Sequence, residues 1–198
     1  MAVFTKEGFA KARMEQIATD AAVSKAALYR RYANKAALLI AIVDAITDDH
    51  AAPFEEAENA LGPIAQLEAI MRMHRAKRLE EPQIELTRLV ASVAAHDPTV
   101  GSAFDAARRR LIDPIDGLIG EAIAAGKIRD LPVAALRESM FDLLVNGAAL
   151  QLVFGMTPDE ETGVFDFRWG LLMKAVGTPD IHDAESMRSA PCLKVFGL

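Results

Sequence analysis

The apolar positions of this 198-residue chain fall almost everywhere at spacings of three and four. That is the period of one helix face; strands would alternate instead. Behind Asn34 as a cap come Leu38, Ile42 and Ile46, with Leu39 and Val43 beside them. The spacing predicts a helix to about Ala51, or through Pro53 with a kink. Gly62-Pro63 marks a break, followed by a stripe of Leu67, Ile70, Met71 and His74 toward Arg78. Pro82 opens a helix with Leu86, Leu89, Val90 and Val93 inward. After the turn His96-Asp97-Pro98 come Val100, Phe104, Ala107 and Leu111. Pro114 is expected to kink this helix without ending it, because Leu118, Ile119, Ala122 and Ile123 continue in phase as far as Gly126. A helix from Pro132 carries Leu136, Met140, Leu143, Leu144, Gly147, Leu150 and Phe154. Gly155 and Pro158 separate it from a last major helix with Phe165, Trp169, Leu172, Met173 and Val176. Beyond Gly177 the pattern fades, and the late cluster Leu193, Val195 and Phe196 has no assigned place. With no strand alternation and no internal repeat, the fold class is all-α, with about nine helices.

Ahead of Asn34 the helices are shorter. Met14 to Lys35 reads as two short helices joined by a tight turn, then the start of a third. Ile17 and Ala18 mark the inner face of the first, and Val23 is expected to plug the turn. The Ser24 hydroxyl can accept from the free N–H groups that open the second helix. Leu28 and Tyr32 face back toward Ile17, while Lys25, Tyr29, Arg30 and Arg31 point outward. Two helices crossing over a short turn, the second with a basic outer face, describe a helix-turn-helix.

Charge sharpens this picture. Over residues 1–46, Lys6, Lys11, Arg13, Lys25, Arg30, Arg31 and Lys35 stand against Glu7, Glu15, Asp20 and Asp44, giving +3; the chain's total of −6 leaves −9 elsewhere. A basic head on an acidic body is the asymmetry expected when one end meets phosphate. Cys192 is the single cysteine, which excludes an internal disulfide and a cysteine metal site and suits a cytoplasmic location. The longest uncharged run, Leu143 to Pro158, is too short and too polar to span a bilayer. His50, His74, His96 and His182 are scattered, and no phosphate-cradling glycine loop is present, so neither a catalytic nor a metal site is expected, nor a cofactor. Glu55-Glu56-Glu58 and Asp159-Glu160-Glu161 read as solvated helix-end charges.

The residues Gly8-Phe9, Ile17-Ala18, Ala21-Ala22-Val23-Ser24-Lys25, Leu28-Tyr29, Tyr32 and Lys35 stand in register with one family pattern. Over residues 4 to 46 the chain resembles the DNA-binding domain of the tetracycline-repressor (TetR) family, and 85 to 155 looks more loosely like that family's C-terminal domain. The resemblance implies that Ser24, Lys25, Ala26 and Ala27 lie at the groove end of a recognition helix, that Tyr29 and Lys35 contact phosphate, and that Arg30 does either. Three departures stand out. Ala22 replaces a glycine, at about 1–2 kcal/mol if φ is positive there. Ala12 replaces a capping Ser or Thr, which removes roughly 1 kcal/mol. Ala27 replaces a hydroxyl residue. The family's helix-ending segment falls at Phe4 to Phe9, so only the end of the first helix is expected here, with Phe4 packed near Ile17 and Leu38 and residues 1–3 loose.

The second half of the Pro132–Phe154 helix is apolar nearly all round, which means burial on more than one side. Either it is the centre of one core, or one face meets a second subunit; the resemblance favours the dimer, with Gly147, Ala148, Leu150, Phe154 and Leu172 at the interface. Met71, His74, Phe104, Met140, Phe141 and Trp169 are candidates for an effector pocket, with Arg108 as an anchor for an acid, although each also suits a plain core or surface role. The expectation is a DNA-binding domain over 1–46 and a ligand-binding, dimerising domain over 47–198. The chain would be a non-enzymatic, cytoplasmic repressor. It would bind a palindromic double-stranded DNA operator as a homodimer and be released by an apolar or weakly acidic small molecule, with no membrane partner. The alternative is a TetR-like sensor whose shortened first helix impairs DNA binding.

Overall fold

The computed structural model describes residues 1–56, 62–156 and 163–179, with backbone alone over 49–56. Expectations for Cys192, Leu193, Val195, Phe196, His182, Glu58 and Asp159-Glu160-Glu161 lie outside the described residues, as do those for the side chains of His50, Glu55 and Glu56. Helix α1, Ala2–Glu7, stops at Gly8, whose φ of 76° is open to glycine at no steric cost. Helix α2 spans Met14–Asp20, α3 spans Lys25–Arg31 and α4 spans Lys35–Glu56, running through Pro53. Helix α5, Pro63–Arg78, begins on a proline, where the missing N–H is not needed. Helix α6 spans Glu81–Ala94. Helix α7, Pro98–Ala124, is capped by Asp97 and continues across Pro114. Helix α8, Val133–Phe141, passes through a π-turn, Asp142–Asn146, into α9, Gly147–Val153. Helix α10 spans Val164–Val176. Since α8 and α9 are continuous through the π-turn, the described residues form nine unbroken helices. An antiparallel bridge between Ile128 and Gly177 clips the loop before α8 to the end of α10.

Two apolar cores are built from these helices. The first draws Phe4, Met14, Ala18, Leu28, Leu38, Leu39 and Val43 from α1 to α4 and adds Leu86, Leu89, Val90, Val93, Val100 and Ala107 from α6 and α7. The second joins α5, the later part of α7, α8, the π-turn, α10 and the bridge residue Ile128. Helix α7 serves both, so its buried stripe does not stay on one line. Ile112 is buried where the spacing predicted Leu111, and Ile115 and Ile119 follow it.

Several head residues depart from expectation. Val3 is buried and helical, so residues 2–3 are anchored where a loose start was expected. Val23 is 44% exposed and does not plug the turn. It borders an open apolar groove of ≈ 690 Å³, also lined by Phe4, Ile17, Leu28, Leu38 and Ile42. Ala12 is buried; the cap position before α2 is Arg13, whose side chain makes no capping bond.

Ala22 has a φ of 54°, the left-handed region anticipated at that position. Ala22→Gly is expected to stabilise the head by about 0.5–1 kcal/mol, the relief of strain less the glycine's extra unfolded-state entropy. Urea unfolding with a higher midpoint and unchanged slope checks this; a lower midpoint would mean that the turn carries no strain.

Candidate functional site

Local sequence sets the orientation of α3. Ser24 Oγ accepts from the Ala27 N–H at 3.1 Å, which satisfies one of the free donors opening the helix. The Val23 N–H donates to the Ala18 carbonyl at 2.9 Å and closes the turn from α2. Leu28 is buried against Ile17 and Tyr32, which fixes the rotation of α3. Lys25, Ala26, Tyr29, Arg30 and Arg31 are therefore left on the outside, while Ala27 is half-buried. The exposed strip holds three cations and one phenol on two turns of helix, next to the small side chains of Ala26 and Ala27.

Two of the lysines are not free. Lys25 Nζ lies 2.6 Å from Glu15 Oε1 on α2, and 5.7 Å from the centre of the Tyr29 ring. The hydrogen bond from Lys25 is the main reason that the Glu15 carboxyl is held below the usual carboxylate range, with Tyr29 adding to it; Lys25 is raised in return. Nothing in the sequence pattern marks Glu15, which lies ten residues before Lys25 and on a different helix.

Lys35 has partners that the sequence did not suggest. Its ammonium donates to the carbonyls of Phe9 at 2.6 Å and Ala10 at 2.9 Å, and lies 5.0 Å from the centre of the Phe9 ring. It pins the segment after α1 to the start of α4, and the free protein commits two of its three donors in this way. Next to it Asn34 Oδ1 accepts from the Ala37 N–H at 2.9 Å and caps α4.

The residues expected to line an effector pocket separate into two groups. Met71, His74, Met140 and Trp169 are buried in the second core, and the Phe141 ring packs edge-on to His74 with centroids 5.2 Å apart. Phe104 belongs to the first core. Arg108 is exposed, with its guanidinium on Asp105 at 3.1 Å, so it does not point into the apolar interior. Arg109 shares the same carboxylate, and Arg110 reaches Asp44 on α4 at 2.7 Å.

The expected interface residues also separate. Leu150 is 58% and Phe154 73% exposed, and Gly147 is exposed between them and the body. Ala148 and Leu172 are buried within the chain itself, on the inner faces of α9 and α10. Met156, Phe167 and Leu171, which sequence spacing did not single out, are exposed as well.

Polar ties run from this face to the head. Arg88 on α6 donates to the carbonyls of Leu152 and Val153, the latter at 2.8 Å, at the end of α9. One turn earlier on α6, Glu85 accepts from Thr5 Oγ1 of α1 at 3.1 Å. At the π-turn, Arg168 Nη1 donates to the Leu143 carbonyl at 3.1 Å and Arg75 Nη1 to that of Leu144 at 3.0 Å.

Residues 1–42 match the sequence model of bacterial regulatory proteins, tetR family. Over these residues the chain is similar to the TetR family. It is 33% identical over 130 residues to the DNA-binding transcriptional repressor TetR of Mycobacteroides abscessus, a match that covers 63% of this chain and 64% of that protein. The chain thus spans a little under two thirds of that relative. The fold extends further than the sequence match. A TetR-family regulator from Mesorhizobium loti superposes with a TM-score of 0.76 at 19% identity, over 89% of this chain and 92% of the other. The regulator FadR from Bacillus subtilis, solved in complex with stearoyl-CoA, gives 0.69 at 16% identity over 87% and 91%. Against that TetR frame, α2 and α3 are the helix-turn-helix, and α5 to α10 are the body. Among the described residues no helix is long and apolar enough to cross a membrane, and no cluster of His, Cys, Asp or Glu could hold a metal ion.

Proposed function

We propose that this chain is a homodimeric transcriptional regulator of the TetR type, acting as a repressor, with a DNA-binding head over 1–46 and an effector-binding, dimerising body over 47–198. The observation that carries this reading is the Ser24-capped α3, which holds Lys25, Ala26, Tyr29 and Arg30 outward on the basic end of an acidic chain. Base-edge contacts come from Lys25, Ala26 and the small Ala27 at the N-terminal end of α3, and Tyr29 with Arg30 positions the helix on phosphate. The likeness to a curated repressor over the first part of the chain supports the same assignment.

The effector is a small molecule of largely apolar character. Met71, Met140, Phe141 and Trp169 offer an adaptable apolar lining between α5, α8 and α10, since methionines repack at little expense. Stearoyl-CoA, present in one fold neighbour, is a long apolar chain on an anionic head and suits that chemistry. A ligand that parts α5 from the π-turn strains the Arg75 tie, and α6 carries the change through Arg88 and Glu85 to the head. Such a ligand releases DNA only as far as it prefers the released state; turning a 1:99 population into 99:1 takes a preference of about 10⁴-fold.

The test is footprinting on DNA from upstream of the chain's own gene. Two protected half-sites related by a two-fold axis are expected, with centres about 34 Å or a multiple of it apart. Protection of a single asymmetric half-site would refute the symmetric dimer.

A further inference from the structure

The Glu15–Lys25 pair lies across the two helices that would face DNA, and both side chains are at least half exposed. An exposed pair contributes little to stability. Its position matters more. Lys25 opens α3, at the end that enters the groove, and it is the one cation there whose charge is cancelled at contact distance by a carboxylate from α2. Arg30 and Arg31, further along α3, have no acidic partner among the described residues, and Arg31 lies over the Tyr32 ring. The head therefore presents free cations where phosphate fixes its register and a masked cation where sequence would be read. A carboxylate also cannot accept from phosphate, so it opposes any approach that leaves the pair intact.

We infer that Glu15 is a specificity-determining residue: it holds Lys25 out of use on unrelated DNA and yields it only where the groove offers acceptors good enough to replace the carboxylate. This rests on the DNA-binding reading above. On unrelated duplex the pair stays closed, Lys25 displaces no counterion, and binding is weak. On the operator, base-edge acceptors take the ammonium, as lysine does with the O6 and N7 of guanine. The gain from opening the pair is thus confined to the correct sequence, which is how specificity arises from a penalty on the wrong partner.

The experiment compares the wild-type protein, Glu15→Gln, Lys25→Met and the double variant on two probes: a 30-base-pair duplex of unrelated sequence and the footprinted promoter segment, each over a range of salt. Glu15→Gln is expected to steepen the salt dependence on unrelated duplex by about 0.9, one more phosphate neutralised, and to tighten it roughly tenfold near 0.1 M salt. The promoter segment should tighten less, so that the specificity ratio falls. In the Lys25→Met background the same change should leave the slope alone, because the cation that it frees is gone. An unchanged slope on unrelated duplex overturns the proposal, as does equal tightening on both probes or a full effect in the Lys25→Met background. If neither wild-type nor Glu15→Gln protein binds either probe, the DNA-binding reading falls and this one with it. Normal promoter binding with equal slopes sinks the role of Glu15 alone.

Discussion

Replacing Phe154 with Glu is expected to convert the proposed dimer into a folded monomer. Phe154 is 73% exposed and lies one turn beyond Leu150, itself 58% exposed, so the two share a face of α9 and its end. On α10, Phe167 and Leu171 are also four apart and 63% and 52% exposed. Two exposed apolar i, i+4 pairs, one at the end of α9 and one on α10, are the kind of surface that marks a protein interface. A pair of helices from each subunit would bury above about 1,000 Å² in a stable dimer. Removing a buried Phe forfeits about 2–3 kcal/mol of transfer energy. The new carboxylate has no partner in an apolar seam and must be desolvated as well. Two-fold symmetry doubles both losses, and a weakening of at least about 10³-fold follows. Sedimentation should show a monomer with unchanged helix content, since the side chain touches little of its own subunit. A dimer of undiminished affinity would move the interface elsewhere. Ala148→Glu is a useful contrast: Ala148 is 6% exposed, so a carboxylate there would unfold the body and would not simply divide the dimer.

That contrast shows where the sequence was readable. Helix existence followed from spacing, and cap and break residues set the ends: Ser24, Asn34, Pro63 and Gly8 act at the positions read for them, and Asp97, read only as part of a turn, caps α7. The positive φ at Ala22 was raised only as a condition, through the glycine usual at that place in the resembled family. Which face of an apolar helix meets which neighbour was not legible. Ala148, Leu150, Phe154 and Leu172 are all apolar, and only packing divides them into core and surface. Phe104 followed the stripe of α7, yet that helix serves two cores, and Phe104 packs in the one with the head. The π-turn left no pattern either. Its extra residue lets Leu144 and Val145, which are neighbours in sequence, both lie fully buried. Long-range polar ties were the least legible of all. Lys35 finds carbonyls more than twenty residues away, and Glu15 finds Lys25 across a turn, through geometry that exists only once the helices cross.

Lys35→Met is expected to loosen the head while leaving its base preference intact. The methionine keeps most of the apolar stem but removes the ammonium that joins the Phe9 and Ala10 carbonyls to the start of α4. Charge-assisted hydrogen bonds contribute about 1.5–3 kcal/mol each. One of these carbonyls is exposed and water can replace the lost donor there, so the pair together is expected to account for about 2–3 kcal/mol. The cation above the Phe9 ring adds about 0.5–1 kcal/mol. The effect should be concentrated in α1 and the segment after it, because α1 is a six-residue helix with few other anchors: Val3 and Phe4 in the first core, and Thr5 on Glu85. Amide exchange should therefore accelerate across residues 4–12 more than in α7 or α10. With the third donor of the ammonium on phosphate, as the family resemblance implies, the loss of this charge should reduce the salt slope by about one, with equal weakening on operator and unrelated duplex. Wild-type exchange rates in the head would show that the two carbonyl ties add nothing to its stability. A change in base preference would place the Lys35 ammonium in the groove instead of behind α1.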